Sequence, residues 1–226
     1  MPPKVKYQKE EIVEAALRIA AASGVGAVTA RGVAKELGVS VGPIFTYFSA
    51  MEELKRAVRE KALLRYRSYI VKGLSEDLPF LGLWKQFIRF AKEERELFRL
   101  LFLSDNKDGD QGFFWLLDYS AELARPSVMR FYGMNETAAC GFFRDIWLVA
   151  FSFAVLTVNG DCPYTDEMIF RIGAEISLSV CKAYKEVPGL AEGTWDRDKV
   201  FGELLRKTSE NERAPKEGRD RKGTGS

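Results

Sequence analysis

Apolar positions recur at three- and four-residue spacing along most of the chain, and two-residue alternation is scarce, which predicts an all-α fold. Between residues 8 and 22, Ile12, Ala16 and Ile19, and likewise Val13, Leu17 and Ala20, recur at i, i+4 and i+7, giving one broad apolar face. Glu10 and Glu11 suit the positive end of that helix, and Gly24 ends it. Thr29 then caps a short helix from Ala30 to Leu37, and Gly38 supplies a tight turn. Ser40 is expected to cap a third helix from Val41, with Pro43 in its first turn, where a missing N–H costs nothing. The run Ser49-Ala50-Met51-Glu52 reads as a capping box opening a long helix to about Gly73.

Val33, Ala34, Leu37, Val39, Ile44 and Phe48 would bring the two short helices together across the turn, the sequence form of a helix-turn-helix. From Leu78 the chain becomes richer in aromatic residues, with helices expected around Phe80–Glu94, Leu97–Leu103, Phe113–Leu123 and Ser127–Tyr132, the last two kinked or separated at Pro126. Two longer helices, Asn135–Val158 and Thr165–Glu186, flank a turn at residues 159–163, and a short one follows from Trp195 to Arg206. These elements divide the chain into a three-helix head (1–50), a connecting helix (51–73), a helical body (74–205) and a polar tail expected to be disordered (206–226).

Charge sharpens this division. Residues 1–72 hold 13 Lys and Arg against 7 Asp and Glu, a balance of +6, whereas residues 73–205 hold 14 against 21, a balance of −7. A basic head on an acidic body points to a polyanionic partner for the head. The chain contains no histidine, which removes imidazole acid–base chemistry and the usual zinc and iron sites, and no catalytic residue, metal or cofactor is expected. Cys140, Cys162 and Cys181 are odd in number and widely spaced, so they are expected as reduced thiols. The N-terminus lacks a signal-like apolar segment, and the longest apolar stretch, Ile146–Val158, is interrupted by Ser152 and Thr157. It falls short of the ~20 residues that span a bilayer, so a cytoplasmic protein with no membrane contact is expected.

The segment VTARGVAKELGVSVGPIFTYFSAMEEL, from Val28 to Leu54, resembles the DNA-binding signature of the tetracycline-repressor family of regulators. The likeness rests on the Thr-x-Arg opening, Ala34, the Leu37-Gly38-Val39-Ser40 turn, the Tyr47-Phe48 pair and the acidic start of the next helix, and it covers roughly residues 8–60. By that resemblance Val41, Gly42, Thr46 and Tyr47 face double-stranded DNA, Thr29, Arg31 and Ser40 set the docking register, and Tyr47 touches phosphate. Against this, Thr29 and Ser40 also read as caps and Tyr47 as partly core. Family members often carry Lys where this chain has Met51, and Lys55, one turn later, is the candidate substitute. Between Val41 and Phe48 there is no Lys, Arg, Asp, Glu, Asn or Gln, so the bidentate pairings to guanine or adenine are missing there. Specificity would come from Thr46, methyl contacts by Val41, Arg31 and DNA shape.

The body likewise resembles the ligand-binding half of that family, in which a small apolar or amphipathic effector changes the spacing of two DNA-reading heads. The candidate pocket residues are Trp84, Phe87, Phe102, Trp115, Tyr119, Arg144, Trp147 and Phe151, each equally readable as core packing, with Arg144 either orienting a ligand, paired to Asp118 or in solvent. Ala138, Ala139, Gly141, Ala150, Gly173 and Ala174 keep parts of the two late helices small; by the resemblance this pair forms a four-helix interface in a homodimer, and alternatively it closes the chain's own core. A dimer would read a palindromic operator with half-sites ~34 Å apart or a multiple of that. The resulting expectation is a repressor released by a small molecule; the competing reading is an all-α ligand-binding or scaffolding protein without gene control.

Overall fold

The computed structural model describes residues 7–104 and 112–213, with side chains through residue 206, and every regular element in them is helical. Helix α1 (Lys9–Ser23) opens on Gln8, whose side chain forms a reciprocal capping box with Glu11, and it ends at Gly24, where φ is +81°. Its buried face, including Ile12, Val13, Ala16, Leu17 and Ala20, packs on α2 and α4. A single 3₁₀ turn (Val25–Ala27) leads to α2 (Ala30–Leu37), where the Thr29 hydroxyl accepts the Gly32 N–H at 3.0 Å. Gly38 closes α2 in the left-handed region at φ +69°, a backbone state in which a Cβ is strained.

Two start signals differ from expectation. Helix α3 (Gly42–Tyr47) begins one residue later than expected, Val41 holds the cap position with helical dihedrals, and no side chain caps it, so Ser40 is an exposed turn residue. Helix α4 (Met51–Leu74) is preceded by Ala50, and the carboxylate that returns to the Ser49 N–H, at 2.8 Å, belongs to Glu53 rather than Glu52. The box shifts because Ala50, not Ser49, occupies the extended residue before the first helical turn. That hydrogen bond holds the Glu53 carboxyl below its ordinary value.

Helix α4 joins head to body. Leu54, Val58, Ala62, Tyr66 and Ile70, each four residues from the next, form its buried stripe. At its end α4 crosses α5 (Pro79–Glu93) through two glycines: a Cβ on Gly73 would stand 2.6 Å from the Leu83 Cα, and one on Gly82 would stand 2.3 Å from the Gly73 carbonyl oxygen. Backbones touch here, so neither position accommodates a side chain. Helix α6 (Arg95–Phe98) continues into a π-helical turn (Arg99–Leu103), and Arg59 of α4 donates to the carbonyls of Leu100 and, at 3.2 Å, Leu101.

Helix α7 (Phe113–Tyr132) runs unbroken through Pro126, so the expected separation does not occur. Pro126 is exposed while Ala124 and Val128 beside it are buried, and their packing carries the helix across the missing N–H. Helices α8 (Glu136–Asn159) and α9 (Asp166–Glu186) are capped by Asn135 and Thr165 and pack on each other. Taken as a whole, α8 is long and apolar enough to cross a membrane by length and composition, although polar residues interrupt its apolar run. Ten of its residues are buried, against α5, α7 and α9. The small residues serve the chain itself: Gly173 receives the Trp84 indole, Gly141 faces the Tyr184 hydroxyl, and Ala138, Ala139 and Ala150 are buried. Helix α10 (Arg197–Arg213) passes the expected boundary at 206; residues 214–226 of the expected tail lie outside the described residues. Cys140, Cys162 and Cys181 are free thiols.

Candidate nucleic-acid interface and ligand cavity

The head presents a short helix by its residues' alternation between anchor and surface. Ile44 is fully buried and Phe48 nearly so, four residues apart, which fixes α3 against the core. Gly42, Thr46 and Tyr47 are exposed, as are Arg31 and Ser40, while Val41 is half-buried. Phe45, which the sequence reading did not include, is 50% exposed. Its signal was present: a residue one step after the buried Ile44 is turned about 100° away from it around the helix. An exposed phenylalanine suits contact with thymine methyls or sugar edges.

The candidate contact residues are held as follows. Thr29 is exposed, and its hydroxyl oxygen is engaged in capping α2. Thr46 donates back to the Gly42 carbonyl at 3.2 Å. The Tyr47 hydroxyl donates to the Tyr7 carbonyl at 2.9 Å, and the Tyr7 hydroxyl donates to the Leu37 carbonyl at 3.1 Å, so Tyr7 bridges the ends of α2 and α3. Lys55 lies 3.9 Å from Glu52, a loose exposed pair that leaves its ammonium available. Met51 is half-buried and packs on the core, so it is a packing residue where a lysine would have pointed outward.

In the body, a cavity of about 20 Å³ is lined by Tyr66, Trp84, Phe87 and Trp147, with Phe80, Leu83, Phe143, Ile146 and Ala150 completing the wall. Of the expected pocket residues, Trp84, Phe87 and Trp147 line it. Phe102 and Phe151 stand behind Trp147, with ring centroids at 6.0 and 5.5 Å, the latter pair stacked within 5°. Trp115 and Tyr119 are stacked on each other at 5.2 Å on α7 and are half-buried outside the cavity wall. Arg144 does not belong to it: the guanidinium is exposed and pairs with Asp145 at 2.7 Å, because it lies on the face of α8 turned toward a separate cleft shared with Asp118 and Tyr184. Tyr66, which the sequence reading omitted, is on the four-residue stripe of α4 and was legible there.

The Tyr66 hydroxyl is within 2.8 Å of Ser120 Oγ, which itself donates to the Leu116 carbonyl at 2.7 Å. Burial pushes the phenol far above its ordinary range, so it stays an uncharged O–H. The indole N–H of Trp84 is buried without a hydrogen-bond partner; that of Trp147 faces the Tyr66 oxygen, close enough to favour its charged form but short of strict hydrogen-bond geometry. Outside, a groove of about 580 Å³ runs between α5 and α9, and Trp84 forms part of its wall as well.

A capped two-helix unit with an exposed short second helix, mounted on a long connecting helix over an aromatic-lined body, forms a helix-turn-helix head on a helical body. Residues 12–58 match the family described as bacterial regulatory proteins, tetR family, so the N-terminal segment is similar to that family's DNA-binding domain. It is similar to the HTH-type transcriptional regulator PksA of Bacillus subtilis (strain 168), 26% identical over 121 residues, a match covering 43% of this chain and 59% of that relative.

Proposed function

We propose that two copies of this chain bind a palindromic operator as a repressor and leave it when a small apolar or amphipathic molecule occupies the body. The observation that carries the reading is the anchoring of α3 through Ile44 and Phe48 while Gly42, Phe45, Thr46 and Tyr47 stay exposed. That leaves one face of a helix of groove-entering size uncommitted to the chain's own core. Thr29, Arg31, Ser40, Val41 and Lys55 flank it and set its register on the duplex, in the cytoplasm where DNA is found. The second copy docks on α8 and α9, supported by Leu148, Leu156 and Leu178, large apolar side chains left exposed there.

The effector reading is supported by the chain of contacts from body to head. The aromatic cluster around Phe102 and Trp147 adjoins the π-helical turn, and that turn is bound to α4 through Arg59. A ligand that moves the turn therefore moves the helix carrying the head, and its differential affinity for the two arrangements sets how far DNA binding falls. Selection of bound duplexes from a random pool tests the reading. An enriched inverted repeat, bound by a species of twice the chain's mass, is the expected result. Sequence-blind, salt-sensitive binding alone would overturn it.

A further inference from the structure

The walls of the cavity specify the chemistry of the group that enters it, while the groove outside carries both signs of charge, from Lys85, Arg89 and Lys92 against Glu93, Asp166 and Glu167. No lining residue of the cavity carries a charge, and Tyr66 is held neutral, so a charged group would enter without compensation. The polar groups left uncommitted are donors. Trp84, 3% exposed, holds an indole N–H with nothing to accept it, and Trp147, 4% exposed, directs its N–H at the Tyr66 oxygen without reaching full hydrogen-bond geometry, while the Tyr66 hydroxyl is matched to Ser120. Buried donors without acceptors are rare, and a ligand that supplies an acceptor satisfies them.

Size decides how such a molecule gets in. A cavity of about 20 Å³ holds one water at most, whereas ligand sites run to ~300–1,000 Å³. The α5–α9 groove supplies about 580 Å³, and Trp84 stands between the two spaces. Its indole lies directly on α9 at Gly173, where a Cβ would come within 2.4 Å of the ring, so the ring is held by packing alone, with no hydrogen bond to its nitrogen.

We propose that the effector is a neutral aromatic molecule bearing a hydrogen-bond-accepting oxygen, which enters along the α5–α9 groove, displaces Trp84 and accepts from the indole N–H groups of Trp84 and Trp147. The inference rests on the effector-release reading for its biological meaning, but its chemistry is tested separately. The aromatic walls match a flat ring by edge and offset contacts, and the unmatched donors select the oxygen.

Isothermal titration of the full chain with three matched probes tests it: 2-acetonaphthalene, which has the acceptor; 2-ethylnaphthalene, which lacks it; and 2-naphthoate, which is charged. The ketone is expected to bind roughly 3- to 10-fold more tightly than the hydrocarbon, and the carboxylate most weakly. Trp147→Phe and Trp84→Phe, which keep an aromatic ring and remove the N–H, should each narrow the ketone–hydrocarbon gap. Equal affinities, a gap untouched by both variants, preference for the carboxylate, or no binding by any probe would each overturn the proposal. If either variant does not fold, the other and the three wild-type affinities decide. A parallel titration of the protein–operator complex separates the two readings. Donor-dependent ketone binding that leaves DNA bound sustains the ligand class and sinks release; DNA release without donor dependence does the reverse.

Discussion

The hydroxyl of Tyr47, the last residue of α3, donates to the backbone carbonyl of Tyr7 at 2.9 Å. A phenol has one hydrogen to give, so in this arrangement Tyr47 ties the chain ahead of α1 to α3, and the proposed phosphate contact would compete for the same proton. Tyr47→Phe removes the hydroxyl whichever acceptor it serves. Operator affinity is expected to fall about 3- to 10-fold, with helix content unchanged in circular dichroism. Unaltered affinity would mean that the hydroxyl serves neither the tether nor the phosphate.

Arg31, exposed on α2 and in no ion pair among the described residues, is the strongest cationic candidate near the reading helix. Arg31→Ala should weaken operator binding by roughly 10-fold or more and leave thermal stability untouched. Gel-shift titration at two salt concentrations distinguishes its contact: uniform weakening on all sequences with a shallower salt slope marks a phosphate, and relaxed specificity marks a base.

Gly73→Ala is expected to destabilise the fold by about 1–3 kcal/mol or more, since its Cβ would stand 2.6 Å from the Leu83 backbone rather than against a flexible side chain. Gly26→Ala, with nothing within 4 Å, is the control and should shift stability little. Urea midpoints for the two variants provide the comparison; equal midpoints would show that α4 and α5 separate at no cost.

Arg59→Met removes two donors to the π-helical turn while preserving much of the buried stem. The carbonyls of Leu100 and Leu101 lose a charged partner, and about 1–3 kcal/mol of stability should go with it. If the turn transmits effector occupancy to α4, the variant also lowers the factor by which effector weakens DNA binding. Intact coupling would place the transmission elsewhere.

Stability should decline as pH falls below the carboxylate range, through two groups in particular. The Ser49 backbone N–H holds Glu53 below 4.5, and Arg89, followed by Tyr69, does the same for Glu93. Each native pKa lies below the unfolded value, so the contribution is present above 4.5 and disappears as pH drops through the native pKa. Glu94 opposes them: burial raises its pKa despite Arg65 at 2.9 Å, so its share favours the folded state at low pH and is lost as pH rises. Denaturation midpoints between pH 3 and 6 should show a shallower acid decline in Glu53→Ala, and an unchanged slope would remove Glu53 from the account.

Local rules alone determined much of this protein. Helix starts at Thr29, Asn135 and Thr165 and the turn at Gly38 need only a side-chain oxygen or a missing Cβ, chemistry confined to four or five neighbouring residues. The helix-turn-helix was legible for the same reason, and its signature spans one short segment. Tertiary structure decided what local pattern leaves open. The stripe of α4 shows that Tyr66 is buried, but only the packing of α5, α7 and α8 around it makes it a cavity wall beside Trp147. Arg144 and Trp84 both sit in apolar helical stretches, yet the rotation of each helix about its axis puts one in solvent and the other against Gly173. Pro126, a breaker by local rule, is carried through α7 because burial of Ala124 and Val128 outweighs one lost hydrogen bond. Side-chain identity sets what each helix can bury; which neighbour it is buried against depends on contacts between residues far apart in the chain, and those exist only once the helices have packed.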